Sequence, residues 1–453
     1  MDQTTVDNRG ADQVGGIILI IKRTKYSREP VMVTFRYFLI FTAAILGIAN
    51  MRMWWQSFSI PYIFKKDFIR EFLISKSVLD GVNPYLPLPV LADRFLGPLP
   101  NLIFPHPTPH PPPVALFCLP LGLMSYKHAA IVWFLFELIC LSVSVVLLLR
   151  WLGVEKRGAL ASLSALLILV WTPITYELLN GQLTALLFFL LVGAWQALRS
   201  GKDIRGGIFL GAAVAVKLVP WPLIIFLMLR RNWRATYAAI STTIVANVAV
   251  ATLIGFDRMA HYYLKIGSSV SELYHSYYFN FSLWTMGWRI FDGTGSQVLS
   301  GVNAPPLFNA PAIAPIISLA ISFAMFIIGL AFAFKARDFD TSFGIVICLM
   351  ILVSPIAWNH HLITTLIPFV IVVQNLSFLK WPRKETYITL CIFFTFCIPP
   401  SGLHELISLL AGIGLGGGLV QTCSFTVALV SLLPTIALLG LLWLVWRRDR
   451  PAP

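Results

Sequence analysis

Apolar segments alternate with short charged loops along almost the whole chain. Many of these segments approach the roughly 20 residues that a helix needs to cross a bilayer. The predicted crossings are residues 33–55, 129–149, 158–176, 182–198, 206–217, 219–229, 235–255, 311–335, 342–358, 361–379, 386–400 and 424–446. The pattern therefore predicts an all-α polytopic membrane protein with about twelve transmembrane helices.

The loops between the apolar segments are rich in Lys and Arg, which sets the expected orientation. The basic loops are residues 150–157, 199–205, 230–234, 335–338 and 380–384, together with the residues after Trp446. Because basic loops are retained in the cytoplasm, both termini are expected on the cytoplasmic side. The protein itself is expected in the cell membrane, that is, the plasma or inner membrane. We predict a cytoplasmic tail over residues 1–32, one transmembrane domain over 33–446 and a cytoplasmic tail over 447–453. Met1–Gly16 is polar and lacks the order of a cleaved signal sequence.

This topology requires short helices in two regions. Residues 206–229 start and end beside basic loops, so they must form two short helices that turn back at residues 217–222. Residues 113–124 are predicted to be a short helix at the outer interface. The outer segments are then residues 56–128, 256–310 and 401–423, and loops of this length are usually functional.

Composition agrees with a membrane protein and excludes several other classes. The 453 residues are 57% hydrophobic and 12% charged, with a mean hydropathy of +0.79, whereas soluble domains are about 25% charged. The net charge of +14 resides mostly in the short loops, which indicates contact with membrane lipids and no nucleic-acid partner. Six Cys residues form no CxxC pair and have no spaced His partners, so we predict no metal and no cofactor.

The stretch from Lys66 to Tyr85, KDFIREFLISKSVLDGVNPY, contains the first candidate for chemistry. Apolar residues at helical spacing predict a helix that lies flat on the membrane, with Asp67 beside its apolar underside. Asp67 could then act as a general base on a hydroxyl group. The alternatives are a solvated interfacial carboxylate or a helix N-cap. Gly81 and Pro84 predict a helix stop and a turn, after which Tyr85 could position a substrate.

Other polar residues stand at the predicted outer ends of crossings. His360 and His361 could donate to phosphate oxygens or could simply cap the interface. Lys217, at the predicted helix break, could bind a phosphate or could extend toward water. Asn180, Gln182 and Asn280 could contact a sugar, and polar groups at such positions are costly unless they line a cavity. The proline-rich segment (residues 104–113, FPHPTPHPPP) is predicted to be a stiff, extended cover.

Several of these motifs together resemble glycosyltransferase family 87, whose members are membrane mannosyltransferases of the GT-C fold. Asp67-Phe68 followed by DGVNPY resembles the D-F…G-x-D-P-Y signature of that family. Further similar stretches follow in the same order: residues 111–124, 180–202, 206–235, 280–284 and 354–362. The chain departs from the family pattern at Asn83, at Arg70 and Glu71, and in the long proline-rich segment. These departures surround the acceptor side of the expected site.

The resemblance implies an inverting transfer of a hexose, with mannose as the expected sugar, from a polyprenyl-phosphate donor to a lipid or glycan acceptor. Asp67 would be the base, and His360, His361 and Lys217 would contact the donor phosphate or sugar. Tyr85, Asn180, Gln182 and Asn280 would bind substrate. We expect a monomer that works on the outer face.

Two other functions fit the sequence. A transporter or flippase of lipid-linked sugar would also have many helices and a broken helix pair at Lys217, although no inverted repeat is evident. A ligase that moves a preassembled glycan would share the donor type. The sequence does not identify the acceptor.

Overall fold

The architecture is that of a mostly helical membrane protein. A computed structural model describes residues 37, 40–99, 104–153, 170–295, 301–376, 383–412 and 420–448. The predicted N-terminal tail and most of the predicted crossing at 158–176 lie outside the described residues. The α-helices are α1 (40–56), α2 (Ile69–Leu79), α3 (Leu88–Leu96), α4 (Val114–Cys118), α5 (Tyr126–Trp151), α6 (Thr172–Asn180), α7 (Thr184–Arg199), α8 (Asp203–Val216), α9 (Trp221–Leu229), α10 (Trp233–Ile254), α11 (Phe256–His261), α12 (Gly267–Leu273), α13 (Thr285–Phe291), α14 (Ala314–Lys335), α15 (Phe339–Leu352), α16 (Leu366–Leu376), α17 (Arg383–Phe396), α18 (Pro400–Leu410), α19 (Ser424–Ser431) and α20 (Leu433–Arg448).

The number of full-length membrane helices is smaller than the sequence predicts. Within the described residues, four helices are long and apolar enough to cross a bilayer: Tyr126–Trp151, Trp233–Ile254, Pro311–Lys335 and Ser424–Arg448. Helices α17 and α18 would add a fifth if their 94° bend belongs to one span. The predicted count of about twelve is therefore not confirmed.

Short helices account for the difference. Helix α7 has 16 residues and α15 has 14, so at 1.5 Å per residue they are about 24 and 21 Å long. Both are shorter than the hydrocarbon core of a bilayer, which is about 30 Å thick. The apolar runs in the sequence are longer than the helices because turns interrupt them.

The structure contains short helices in both regions where the sequence predicts them. Helices α8 and α9 are separated by residues 217–220. The side chain of Asn232, at the start of α10, donates to Oδ1 of Asp203, at the start of α8, at 2.8 Å. The α8–α9 pair therefore returns the chain to the level from which it left. Residues 113–124 form α4 followed by a 3-10 helix over Leu119–Leu123.

Several basic loops meet at one end of the helical bundle. Arg199 pairs with Asp340, in the first turn of α15, at 3.0 Å, and Arg448 lies 3.3 Å from Asp338, just before that helix. Arg230 donates to one backbone carbonyl in the last turn of α14 at 3.4 Å and to another just after that helix at 2.8 Å. Segments far apart in sequence therefore present their positive charges together.

Helix α2 does not lie flat on a membrane, which corrects the sequence prediction. Its buried residues include Ile69, Arg70, Glu71 and Ser75, which lie on different sides of the helix. Polar side chains on α2 bond inside the protein; the Ser75 hydroxyl, for example, donates to the backbone carbonyls of Glu71 and Cys118. Aromatic residues of α5 cover the side that was expected to face lipid, because Phe68 and Phe72 pack on Tyr126.

A two-stranded parallel sheet joins two of the predicted outer segments. Strand β1 (Val302–Asn303) pairs with β2 (Val420–Gln421), so that the second and third predicted outer segments are in contact at these strands. A separate apolar cluster, which includes Tyr277, Tyr278 and Ile407, packs beneath this sheet.

Helices α8 and α10 pack closely because of two glycines. A Cβ atom at Gly207 or Gly211 would overlap the backbone carbonyl oxygens of Ala235 or Ala239. Small residues four apart allow such close approach between membrane helices.

We expect Gly211→Ala to lower the melting temperature of the purified protein, because overpacking this contact costs about 1–3 kcal/mol. Gly47→Ala is the matched control, since a Cβ there has no atom within 4 Å. Thermal unfolding in detergent measures both. Equal melting temperatures for the two variants would contradict the close packing of α8 on α10.

Candidate functional site

The segment around Asp67 is docked on the C-terminal end of α6. The last carbonyl groups of a helix have no partner within the helix. Here the ammonium of Lys66 donates to the carbonyls of Leu179 at 2.7 Å and Leu178 at 3.4 Å, and the amide of Phe68 donates to that of Asn180 at 3.1 Å. The neighbours of Asp67 on both sides thus cap α6.

Lys66 suits this position electrostatically. A positive charge is stabilised at the C-terminal end of a helix. Burial lowers the pKa of Lys66 to about 8, and the charge of Glu137 opposes that change. The ammonium form still predominates at neutral pH, so the cap retains its charge.

Gly181 ends α6 and brings it close to Phe68. Its φ of +68° lies in the left-handed region, where glycine is favoured. A Cβ at this position would lie 2.9 Å from the Cβ of Phe68. The indole Nε1–H of Trp133, from α5, donates to the Gly181 carbonyl at 3.1 Å. The turn is therefore fixed by three separate parts of the chain.

Both carboxylate oxygens of Asp67 have partners. Oδ1 lies 2.8 Å from Nη2 of Arg70, and Oδ2 accepts a hydrogen bond from the side-chain amide of Gln182. The N-cap position of α2 is Phe68, with no side-chain cap, so Asp67 does not cap this helix. The Asp67 side chain remains 21% exposed and faces a cavity.

The central cavity has a volume of about 930 Å³ and gathers most of the predicted site residues. Asp67, Asn180, Gln182, Lys217, His360 and His361 all line it. These residues come from four separate segments of the sequence. Residues that were predicted to lie on the outer side of the membrane therefore meet in one cavity. Their roles there remain predictions.

Lys217 stands at the break between α8 and α9, and its amide still donates to a carbonyl of α8 at 3.0 Å. Among the charged groups around its side chain, the carboxylate of Glu177 acts on it most strongly, followed by those of Glu71 and Asp67. Glu177 is itself fully buried, and its Oε1 accepts from the amide of Ala185 near the start of α7 at 2.5 Å. The lysine therefore adds a positive charge to the wall of the cavity, and the buried carboxylate of Glu177 stabilises that charge.

The two histidines lie in a 3-10 helix over Asn359–Thr365. Burial, followed by the charge of Lys217, lowers the pKa of His360 well below its ordinary value, so this ring is neutral. Nδ1 of His361 accepts from the backbone amide of Trp358 at 3.2 Å, so in its neutral form the ring carries its proton on Nε2. This Nε2 is buried without a hydrogen-bond partner in the described part of the chain, which leaves a donor free.

Tyr85 and Asn280 do not line the central cavity, in contrast to their expected role in substrate binding. The Tyr85 hydroxyl donates to the carbonyl of His110 at 3.3 Å. Asn280 is fully buried; it donates to the carbonyl of Pro355 at 3.0 Å and accepts from the amide of Ala357 at 2.9 Å. Both positions indicate a structural role.

The cavity residues that were absent from the predicted site include Arg70, His106, His110 and Tyr274. Nε2 of His106 lies 2.7 Å from the hydroxyl of Tyr274, and Nδ1 of His110 lies 2.7 Å from Oε1 of Glu71. The signal for the histidines is in the sequence, because polar residues are unusual in a proline-rich cover. Within the described residues, no group of three His, Cys, Asp or Glu side chains could hold a metal ion.

Comparisons with known proteins agree with this site in kind. The model of Glycosyltransferase family 87 matches residues 109–355, which is more than half of the chain. A polyprenol-phosphate-mannose-dependent alpha-(1-2)-phosphatidylinositol pentamannoside mannosyltransferase of Mycobacterium tuberculosis is 26% identical over 267 residues. An alpha-(1->3)-arabinofuranosyltransferase from the same organism is 26% identical over 160 residues.

These alignments are partial. They cover 57% of this chain and 56% of the mannosyltransferase, and 34% of this chain and 37% of the arabinofuranosyltransferase. The chain therefore spans about half the length of the first relative and about a third of the second. No solved structure gives a significant match.

We expect Gly181→Ala to destabilise the protein more than Gly201→Ala does. Both glycines have similar positive φ values, +68° and +72°, so alanine meets the same backbone strain. Only at position 181 would the new Cβ also push against Phe68, and overpacking adds about 1–3 kcal/mol. Melting temperatures of the two variants measure the difference. Equal losses would show that the α6 turn is not pressed against the segment of Asp67.

Proposed function

Because the chain belongs to glycosyltransferase family 87, we propose that it is a membrane glycosyltransferase that moves a hexose from a polyprenyl-phosphate donor to a lipid or glycan acceptor. The observation that carries the proposal is the meeting of Asp67 with Lys217, His360 and His361 in one cavity. A carboxylate that can take a proton and groups that can bind a phosphate are the two requirements of such a transfer.

Mannose is the expected sugar. One matching relative is named for dependence on polyprenol-phosphate-mannose, which supports both the donor type and the sugar. The other is named as an arabinofuranosyltransferase, so the sugar is a part of the proposal that must be tested directly.

In the proposed reaction, Asp67 accepts the proton of an acceptor hydroxyl, and the hydroxyl oxygen attacks the anomeric carbon of the donor sugar. The bond between that carbon and the phosphate oxygen breaks, and inversion follows from a single displacement. Gln182 and Arg70 orient the carboxylate from two sides. In this proposal, Gln182 orients the carboxylate of Asp67 through its hydrogen bond, in addition to any contact with the sugar. The family match begins at residue 109, so the role of Asp67 rests on its place in the cavity.

The leaving phosphate gains negative charge as this bond breaks. Donors that are already in place stabilise such charge without reorganisation. Lys217 offers a positive charge, and the unpartnered Nε2–H of His361 offers a hydrogen bond. His360 lies against His361, with ring centroids 4.5 Å apart, and adds a second neutral imidazole.

The outer face of the membrane is the proposed location of the reaction. Helix α8 begins at the end where the basic loops meet and ends at Lys217 in the cavity. If the basic loops face the cytoplasm, as the positive-inside rule expects, the cavity opens toward the opposite leaflet.

We expect Asp67→Asn to reduce the transfer rate by about 10²–10⁴-fold, because the amide cannot accept the proton. Donor binding should be retained. The measurement is transfer of label from polyprenyl-phosphate mannose into a membrane lipid extract, with Asp80→Asn as control. Asp80 is exposed at the end of α2 and lies outside the cavity.

The same variant separates the alternatives. A flippase of lipid-linked sugar would be nearly indifferent to the loss of Asp67 as a base, and transbilayer movement of the donor would continue. Transfer by Asp67→Asn at the wild-type rate would remove the proposed base. Activity with a different polyprenyl-phosphate sugar would keep the reaction and change the sugar.

We expect Lys217→Met to slow transfer by about 10²–10³-fold through loss of charge stabilisation at the leaving phosphate. Methionine keeps the length and the apolar stem of the side chain. Lys202→Met is the matched control, because Lys202 is exposed at the opposite end of α8. Steady-state kinetics at varied donor concentration measure both variants. An unchanged rate in Lys217→Met would place the phosphate elsewhere.

A further inference from the structure

Two neighbouring residues of α2 contact the proline-rich segment at two points, Phe104 and His110. The guanidinium of Arg70 lies over the ring of Phe104, with 5.1 Å from Cζ to the ring centroid. Nδ1 of His110 lies 2.7 Å from Oε1 of Glu71. The start of α2 and the proline-rich segment therefore form one contiguous unit.

Glu71 is fully buried beside the proline-rich segment, with 0% of its surface exposed. A carboxylate is costly to bury unless it is paired. Among the described side chains, the one within ion-pair distance of Glu71 is His110, which is itself 6% exposed and carries a positive charge when its imidazole is protonated. This contact favours one position of residue 110.

The proline-rich segment cannot hold itself in place. Six of its ten residues are prolines, which lack a backbone N–H, so it can form neither a helix nor a regular ladder. Side chains from other parts of the protein hold it instead. The hydroxyl of Tyr262 donates to the carbonyl of Pro109 at 2.7 Å, and that of Tyr274 lies 2.7 Å from Nε2 of His106. The segment thus lies between α2 and the second outer segment.

The position of this segment is transmitted to Asp67. Arg70 contacts Phe104 on one side and the Asp67 carboxylate on the other, at 2.8 Å. Phe104, His106, Pro109, His110 and Pro111 all line the central cavity beside Asp67. Displacement of the segment would therefore admit water next to the residue proposed as the base.

We propose that Glu71 and His110 form a positioning pair that keeps the proline-rich segment closed over Asp67, so that the donor sugar is transferred to the acceptor and not to water. This inference rests on the proposed function. In the unwanted reaction, a water oxygen attacks the anomeric carbon and its proton passes to Asp67. The bond to the phosphate oxygen breaks, which releases free sugar and polyprenyl phosphate. No further reactant is required.

The test compares two products from the same labelled donor, polyprenyl-phosphate mannose. Wild type, Glu71→Gln, His110→Gln and the double variant are assayed for labelled glycolipid and for free labelled mannose. We expect the ratio of hydrolysis to transfer to rise about ten-fold in each single variant, since an unpaired buried group destabilises the closed position. The double variant should resemble the single variants, because the two residues act as one pair.

A second measurement follows the segment without any activity. Thr108, inside the proline-rich segment, is fully buried. Thr108→Cys, in a background where the exposed Cys391 and Cys423 are serine, should react slowly with a water-soluble maleimide. Adding Glu71→Gln should accelerate labelling about ten-fold. Glu405→Gln, at an exposed site on α18, should change neither the labelling rate nor the product ratio.

The outcomes are distinct. If wild type neither transfers nor hydrolyses any polyprenyl-phosphate sugar, the proposed function is wrong. The proposed role of Glu71 and His110 in the ratio of hydrolysis to transfer is then wrong as well. If wild type transfers while Glu71→Gln and His110→Gln keep its product ratio and labelling rate, the pair has no such role and the proposed function stands. If a variant only unfolds, the labelling rate rises at buried Cys118 and Cys348 as well, and that result also overturns the inference.

Discussion

The arrangement of this site depends on how one helix end is capped. The carbonyl groups at the end of α6 would be unsatisfied in a buried setting, and Lys66, Phe68 and Trp133 supply the missing donors. Because two of these donors flank Asp67, the requirement to satisfy a helix terminus also fixes the position of the carboxylate. Gln182, just beyond the same turn, is thereby placed against it. The same contacts therefore position the Asp67 carboxylate and satisfy the backbone of α6.

The local features of the sequence predicted much of this arrangement. The left-handed turn at Gly81, the break at residues 217–220 and the short helix after Pro113 are each confirmed, because glycine, proline and basic loops act over a few residues. Six of the eight predicted site residues share the cavity for a related reason. Polar residues at the ends of apolar segments are costly to place against lipid, so they face a cavity inside the protein.

Features that depend on tertiary contact were not accessible in the same way. The apolar spacing of α2 resembles that of a surface helix, and only the packing of its aromatic side against α5 shows that this side is buried. Asn280 is a residue type that often contacts sugars, yet its amide donates to the carbonyl of Pro355, 75 residues away. Arg70 and Glu71 carry no local signal of their partners, since Phe104 and His110 are more than 30 residues distant and lie in an irregular segment. The length of an apolar run likewise does not reveal where a turn divides it.

The shortness of α8 has a consequence for the substrates. With 14 residues, it separates Lys217 from the basic end of the bundle by only about 21 Å, whereas the hydrocarbon layer is about 30 Å thick. In a bilayer of ordinary thickness, the polar end of the cavity would lie several ångströms below the far headgroups. A sugar anchored to a lipid can be presented at that depth by its own tail, but a free sugar nucleotide would have to leave water. For the proposed transferase, this depth would favour a lipid-linked donor over a water-soluble one, before any side chain recognises the sugar.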